Sequence, residues 1–330
     1  MYTFEPLCPP TSIHPMKLPT ALSACAIGLL AAALLPACKK ETTTAPYAPP
    51  VAQVNPLQQV FANNLAQAVQ HFSINTDNGP AYVNGADGLY ASFSQHAFRK
   101  ADGTIATGTI DIDLVEALGV GKMLWLNKQT VGLDNGQPKL LVSGGQFRLT
   151  ASQGGEALKL APGMSFISVP SNAPDPSMAL FSGTVQSDGS MLWNPWATNP
   201  LNGNDSLGYS FPNDSLGWIN CDYFYGGPEP LTAVQVTCPA DYTGTNTFVW
   251  VVFPDINSMT NMQGGTGSVF TTGNGYELPV GLNITVVALA DVGGQYFSSF
   301  TNAVVSAGMN LNISLAPTTL AQFQVDAGGL

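Results

Sequence analysis

A chain of 330 residues carries a formal net charge of -11, with 21 acidic side chains against 10 Lys and Arg. Only 9% of its residues are charged, far below the roughly 25% of average soluble proteins, while 45% are hydrophobic, which excludes an intrinsically disordered chain. After Lys159 there are 11 acids and no Lys or Arg, and a surface without cations cannot hold phosphates by charge, so nucleic acid is excluded as a partner.

Four prolines, Pro6, Pro9, Pro10 and Pro15, precede Met16, which places the expected start of translation at Met16. Lys17 supplies a positive n-region, and Ala24 to Leu35 is an uncharged apolar run too short to span a bilayer, the pattern of a secretory signal. Leu35-Pro36-Ala37-Cys38 closes that run. A small residue before a Cys, with Leu three places ahead of it, resembles the lipobox of bacterial lipoproteins, although Pro36 departs from the commoner small or hydroxylated residue. The resemblance implies that Cys38 is the lipidated first residue of the mature protein, held at the outer membrane by its lipid. Thr42, Thr43 and Thr44 with Pro46, Pro49 and Pro50 then make a tether over residues 39–55.

Leu57, Val60, Phe61, Leu65, Val69 and Phe72 recur at helical spacing, fitting either a short amphipathic helix or an extended lead-in. Strand-like segments follow: Leu89 to Phe93, Thr109 to Val115, Leu140 to Ala151, Ala157 to Leu160, Met164 to Val169 and Met178 to Val185. Asp111 and Asp113 alternate with Ile110, Ile112 and Leu114, which gives one wet and one dry face. Asn84-Gly85, Asp87-Gly88, Asp102-Gly103, Asn135-Gly136 and Asp188-Gly189 mark turns. Asn204-Asp205-Ser206-Leu207-Gly208 recurs as Asn213-Asp214-Ser215-Leu216-Gly217 among prolines and reads as a linker. Phe248 to Phe253, Asn283 to Ala290 and Leu311 to Leu315 are further strands. The expected fold is all-β: a leader and signal peptide at 1–38, the tether, an antiparallel β-sandwich at 56–200, a linker at 201–216, and a second β-sandwich at 217–330.

Gly88 to Phe98, Gly108 to Glu116, Val142-Ser143-Gly144-Gly145-Gln146-Phe147 and Met178 to Gly183 with Trp193 resemble uncharacterised lipoproteins of Bacteroidota whose N-terminal region is distantly ZU5-like. Gly217 to Asp222 resembles the same group, and Pro279-Val280-Gly281 before a strand resembles the turn of transthyretin-like modules. These resemblances imply a fold and carry no catalytic residue. The two Asp-Ser-Leu triplets resemble the O-glycosylation acceptor of Bacteroidota, implying Ser206 and Ser215 as acceptors, although Asp-Ser is also a common turn pair.

Candidate chemistry is sparse. Downstream of Cys38 the histidines are His71 and His96, and neither lies in a nucleophile-bearing motif. No Cys or His pair has metal-ligand spacing, Asn202 to Ser206 lacks the order of a calcium loop, and nothing calls for a cofactor. Asp111, Asp113 and Glu116 read as a solvated strand face ahead of a catalytic carboxylate cluster. Cys221 and Cys238, 17 positions apart in strand-like segments, fit a disulfide across neighbouring strands; two buried free thiols are the alternative. Trp193 and Trp196 offer either a stacking platform for sugar or buried aromatics, with at least one expected to pack against its own domain. The expectation is a non-enzymatic envelope lipoprotein, anchored by its lipid and acting as a structural or interaction module, with a protein or glycan as partner. A carbohydrate-binding surface lipoprotein is the alternative, ahead of a hydrolase.

Overall fold

The computed structural model describes residues 55–196, 201–205, 208–273 and 276–330. Cys38, the signal segment, the tether as far as residue 54, and Ser206 lie outside the described residues, which belong to one compact unit. Among them no helix is long and apolar enough to cross a membrane.

The fold is all-β, and its organising element is the 17-residue strand Gln137–Gln153. Asn135 and Gly136, with φ of 51° and 79°, make the two-residue turn that joins Val131–Asp134 to it, setting Asp134 opposite Gln137. Positive φ at both turn positions is what Asn-Gly tolerates best. The long strand pairs with Val131–Asp134 at its start, with Gly217–Phe224 along its middle and with Ile110–Ala117 towards its end. Gly217–Phe224 leads on to Ala179–Val185 and Met191–Pro195, and a parallel pairing of Trp193 with Gly132 returns to Val131–Asp134, so that five strands close on themselves. Gln70–Ile74 extends the open side of this eight-stranded sheet.

Period-two alternation gives the sheet two apolar faces. One, with Ile110, Ile112, Leu114, Phe147, Leu149 and Ile219, packs against Val83, Phe93, Ile167, Val169, Tyr209 and Phe211 of a five-stranded sheet, ordered Asn202–Asp205, Gly208–Asn213, Ser165–Pro170, Tyr90–Phe93, Ala81–Asn84. The other face, through Leu141, Phe181, Met191, Trp193 and Trp218, meets a layer of helices: α1 (Leu57–Gln67), α2 (Val120–Trp125) and α3 (Leu320–Gly328). That helical layer is shared with Trp250, Val252, Met259, Val287 and Leu289 from a second five-stranded sheet, ordered Ser258–Asn261, Thr247–Phe253, Asn283–Val292, Gln295–Val304, Ala316–Thr318. The far face of this sheet, with Val249, Val251 and Phe253, packs on Val236, Phe270 and Leu278 to form a third core.

The expected linker is not one. Within 201–216, Asn202–Asp205 and Gly208–Asn213 are strands, and Tyr209, Phe211 and Asn213 point inward while Ser210 and Pro212 face out. The alternation was hidden by Pro and by turn-forming Asp-Ser pairs. Gly217–Phe224, expected to open the second domain, is instead central to the eight-stranded sheet, so the C-terminal sandwich is built from residues beyond Phe224. Asn55, placed in the tether, is already part of the fold. It is buried, its Oδ1 accepts from the Leu57 amide at 3.0 Å, and its Nδ2 donates to the carbonyls of Gly244 and Thr247.

Candidate functional site

After α2 the chain turns through Asn127, whose φ of 54° lies in the left-handed region, and the next three residues are buried along with it. Four consecutive polar residues can be buried only if each finds partners. Asn127 Oδ1 accepts from Trp250 Nε1 at 3.0 Å and from Asn261 Nδ2 at 2.9 Å. Gln129 donates through Nε2 to the Met191 carbonyl, accepts at Oε1 from the Asn261 amide, and offers its own carbonyl to Trp193 Nε1 at 2.7 Å. Thr130 Oγ1 pairs with Ser258 Oγ at 2.5 Å and accepts from the Met259 amide. Lys128 donates to the Gly189 carbonyl, and its ammonium sits 5.8 Å from the centre of the Trp218 ring, with Arg148 at 5.9 Å. Burial pushes Lys128 down to about 8, against the attraction of Asp188 and with the repulsion of Arg148. The segment thereby ties the closed strands to the C-terminal sandwich.

Where this polar spine reaches the surface it floors a cleft of about 290 Å³. Asn55, Gln129, Gln186, Asn261 and Gln263 give it amides, Ser190, Thr247, Thr260 and Thr272 hydroxyls, and Asp188 a carboxylate; Val131, Pro138, Met262 and the rings of Phe248, Phe270 and Tyr276 make its apolar part. Asp188 Oδ1 accepts from Ser190 N at 3.0 Å and Ser190 Oγ at 2.6 Å. Phe248 is half-buried, backed by Trp250 at 5.8 Å with rings 19° apart, and met edge-on by Phe61 at 5.2 Å. Among the described residues no Lys, Arg or His lines the cleft. A lining of amides, hydroxyls and aromatic side chains can orient and bind a polar ligand. A wider recess of about 640 Å³, bounded by Asp87, Asp175, Asp255 and Tyr209, likewise lacks a histidine among the described residues.

The residues singled out from sequence are dispersed. Trp193 is fully enclosed in the helical-layer core, whereas Trp196 is half-buried against the other face of the sheet, so the two rings form no exposed platform and the proposed sugar site at Trp193 and Trp196 is corrected. Trp193 is buried because its ring fills the space left by Gly183, where a Cβ would lie 2.7 Å from it. Cys221 and Cys238 are free and buried in different cores, which corrects the disulfide: Cys221 pairs within the eight-stranded sheet and Cys238 follows Gln235–Thr237 in the third core. Burial pushes both thiols up, Cys238 to about 11. Ser215 is half-buried, and its carbonyl accepts from Asn213 Nδ2 at 2.8 Å.

Asp111 and Asp113 do lie on the wet face, held by Ser73 Oγ at 3.0 Å and His71 Nδ1 at 2.7 Å. Glu116, however, points to the opposite, dry face and is buried, accepting from Gln70 Nε2 and from the amides of Asp87 and Leu89 at 2.8 to 2.9 Å. It clamps the turn that Gly85 opens, since a Cβ at Gly85 would lie 2.4 Å from the carboxylate. No carboxylate cluster therefore forms, and among the described residues no three His, Cys, Asp or Glu converge on one point. His96 has φ of 56° and lines neither recess, and neither does His71. Asn127, Gln129, Asp188, Phe248 and Asn261 were not legible as a group, because they are spread over more than a hundred positions of largely uncharged sequence.

No protein-family model matches the chain, and no curated protein matches it in sequence.

Proposed function

We propose that this protein is a non-enzymatic lipoprotein of the bacterial outer membrane whose folded body acts as an interaction module of the envelope. The cleft favours a recognition role: its walls hold amides, hydroxyls, the Asp188 carboxylate and aromatic side chains, with no imidazole, thiol or ammonium among the described residues that line it. The apolar run ending at Cys38 supports the anchor, and the Thr- and Pro-rich stretch after it supplies reach between bilayer and body.

Lipid labelling and detergent partitioning of the full chain in a bacterial host test the anchor. The unaltered chain is expected to take up label and enter the detergent phase, and Cys38→Ala to give an unlabelled precursor or a soluble protein. A labelled, membrane-bound Cys38→Ala product would sink the proposal.

A further inference from the structure

We infer that the cleft beside Phe248 is a binding site for a neutral saccharide; this rests on the interaction-module proposal and names the ligand class for its recess. Hydrogen-bond chemistry fixes the orientation of the amides. Trp250 Nε1 can only donate, so the Asn127 atom it reaches at 3.0 Å is an oxygen, and the Asn261 atom 2.9 Å from that oxygen is a nitrogen. Asn261 Oδ1 is thus left as an enclosed acceptor with no donor, on a residue that lines the cleft. Such an atom is disfavoured unless water or a ligand donates to it. Asp188, already held through Ser190, adds a second acceptor to the same lining.

The cleft therefore calls for donors. Its described lining has no cation to attract phosphate, sulfate or carboxylate, and Lys128 nearby is turned to the Gly189 carbonyl. An extended peptide brings as many carbonyl acceptors as amide donors, and its carbonyls cannot donate to Asn261 and Asp188. Hydroxyl groups donate and accept at will, which suits Asn261 and Asp188 as well as the amides of Gln186 and Gln263. Phe248 supplies the remaining element, a ring held in place by Trp250 and Phe61. An apolar C–H face with a rim of hydroxyls is the complement of such a lining. The volume, about 290 Å³, lies at the small end of the roughly 300–1,000 Å³ of ligand sites, so the occupant is the end of a glycan or a short saccharide.

The full chain, purified in detergent, is applied to an array of neutral and acidic oligosaccharides and to a set of uncharged peptides, and hits are titrated by NMR. Binding of neutral saccharides is expected, weakened about tenfold by Asn261→Ala and by Gln186→Ala, the loss of one hydrogen bond. Gln186 Nε2 donates to the carbonyl of Thr184, two residues away on the same hairpin, so its truncation breaks no bond between elements and that variant keeps the fold, as circular dichroism would verify. Absence of saccharide binding, preference for acidic glycans or for peptides, or saccharide binding untouched by both variants but lost in Tyr82→Ala overturns the inference. Tyr82 is the control because it is 54% exposed on the outer face of the N-terminal five-stranded sheet, stacked with Tyr90 at 5.9 Å. Lost anchoring with retained saccharide binding would refute the outer-membrane proposal alone, and retained anchoring without saccharide binding would refute the ligand class alone.

Discussion

Asp222 lies on Gly217–Phe224 with its carboxyl group fully enclosed, and Asn220 Nδ2 donates to Oδ2 at 2.5 Å. Burial pushes its pKa well above the usual carboxylate range, against the hydrogen bonds from Ser143 and the Gly144 amide, which pull it down. Between the unfolded value and the raised native one the native state binds more protons, so the contribution of Asp222 to stability falls as pH rises above about 4. Asp222→Asn removes the titration. We expect urea midpoints of the wild type to fall relative to those of Asp222→Asn from pH 5 to pH 8; parallel profiles for the two proteins would contradict the assignment. Lys128 acts at the other end of the scale. Burial lowers it to about 8, so the stability it withholds at neutral pH returns between about pH 8 and 10.5, and the Asp222 comparison is best read below pH 8.

At the scale of elements, α2 and α3 show how short helices are held where propensity alone would not keep them. The six residues of α2 start at Val120, whose amide donates to Asn257 Oδ1 at 2.7 Å, while Asn257 Nδ2 donates to the carbonyls of Leu118 and Ser143. Asn257 has a φ of 49°, a conformation that Asn tolerates better than most residues. On α3, Phe323 is fully buried among Trp125, Trp250 and Phe300. The two helices approach closely at Gly121, where a Cβ would come within 2.2 Å of the Ala327 carbonyl oxygen. That atom is backbone and cannot swing away. Gly121→Ala should therefore lower stability by about 1–3 kcal/mol through overpacking, although Ala is the better helix former; a neutral or stabilised variant in denaturant melts would show that α3 does not dock there. Neither contact could be read from the chain. The alternation of Ile110 to Leu114 and the Asn135-Gly136 turn are local signals and appear in the structure as expected. By contrast, α3 is nine residues without an acid in its first turn or a base in its last, and its position is set by contacts with residues far away in the chain, Gly121 among them. The cleft escaped for the same reason: Gln129, Asp188 and Asn261 acquire meaning only through pairings between distant strands.

For the molecule as a whole, the helical-layer core joins both halves of the chain. Phe61 of α1 packs on Phe248 and Trp250, and Trp193 Nε1 reaches the Gln129 carbonyl while Gln129 Oε1 takes the Asn261 amide. A chain expected to divide at 201–216 is therefore bonded across that boundary by buried polar contacts as well as by apolar area. Breaking one half would expose the apolar face of its partner to water and exchange the buried hydrogen bonds of Asn127, Gln129 and Thr130 for bonds to solvent, a net loss of about 0.5–1.5 kcal/mol for each. Local unfolding of one sandwich is then nearly as costly as global unfolding, which is the condition for a single cooperative transition. The expected outcome is one urea transition with coincident midpoints by far-UV circular dichroism and by the fluorescence of a Trp250→Phe variant, whose remaining tryptophans all precede residue 225. Chains ending at residue 224 should fail to fold, because α3, Asn257 and Trp250 are then missing from the shared core. Two separated transitions, or a truncated chain with a native-like melt, would show that the halves are independent domains after all.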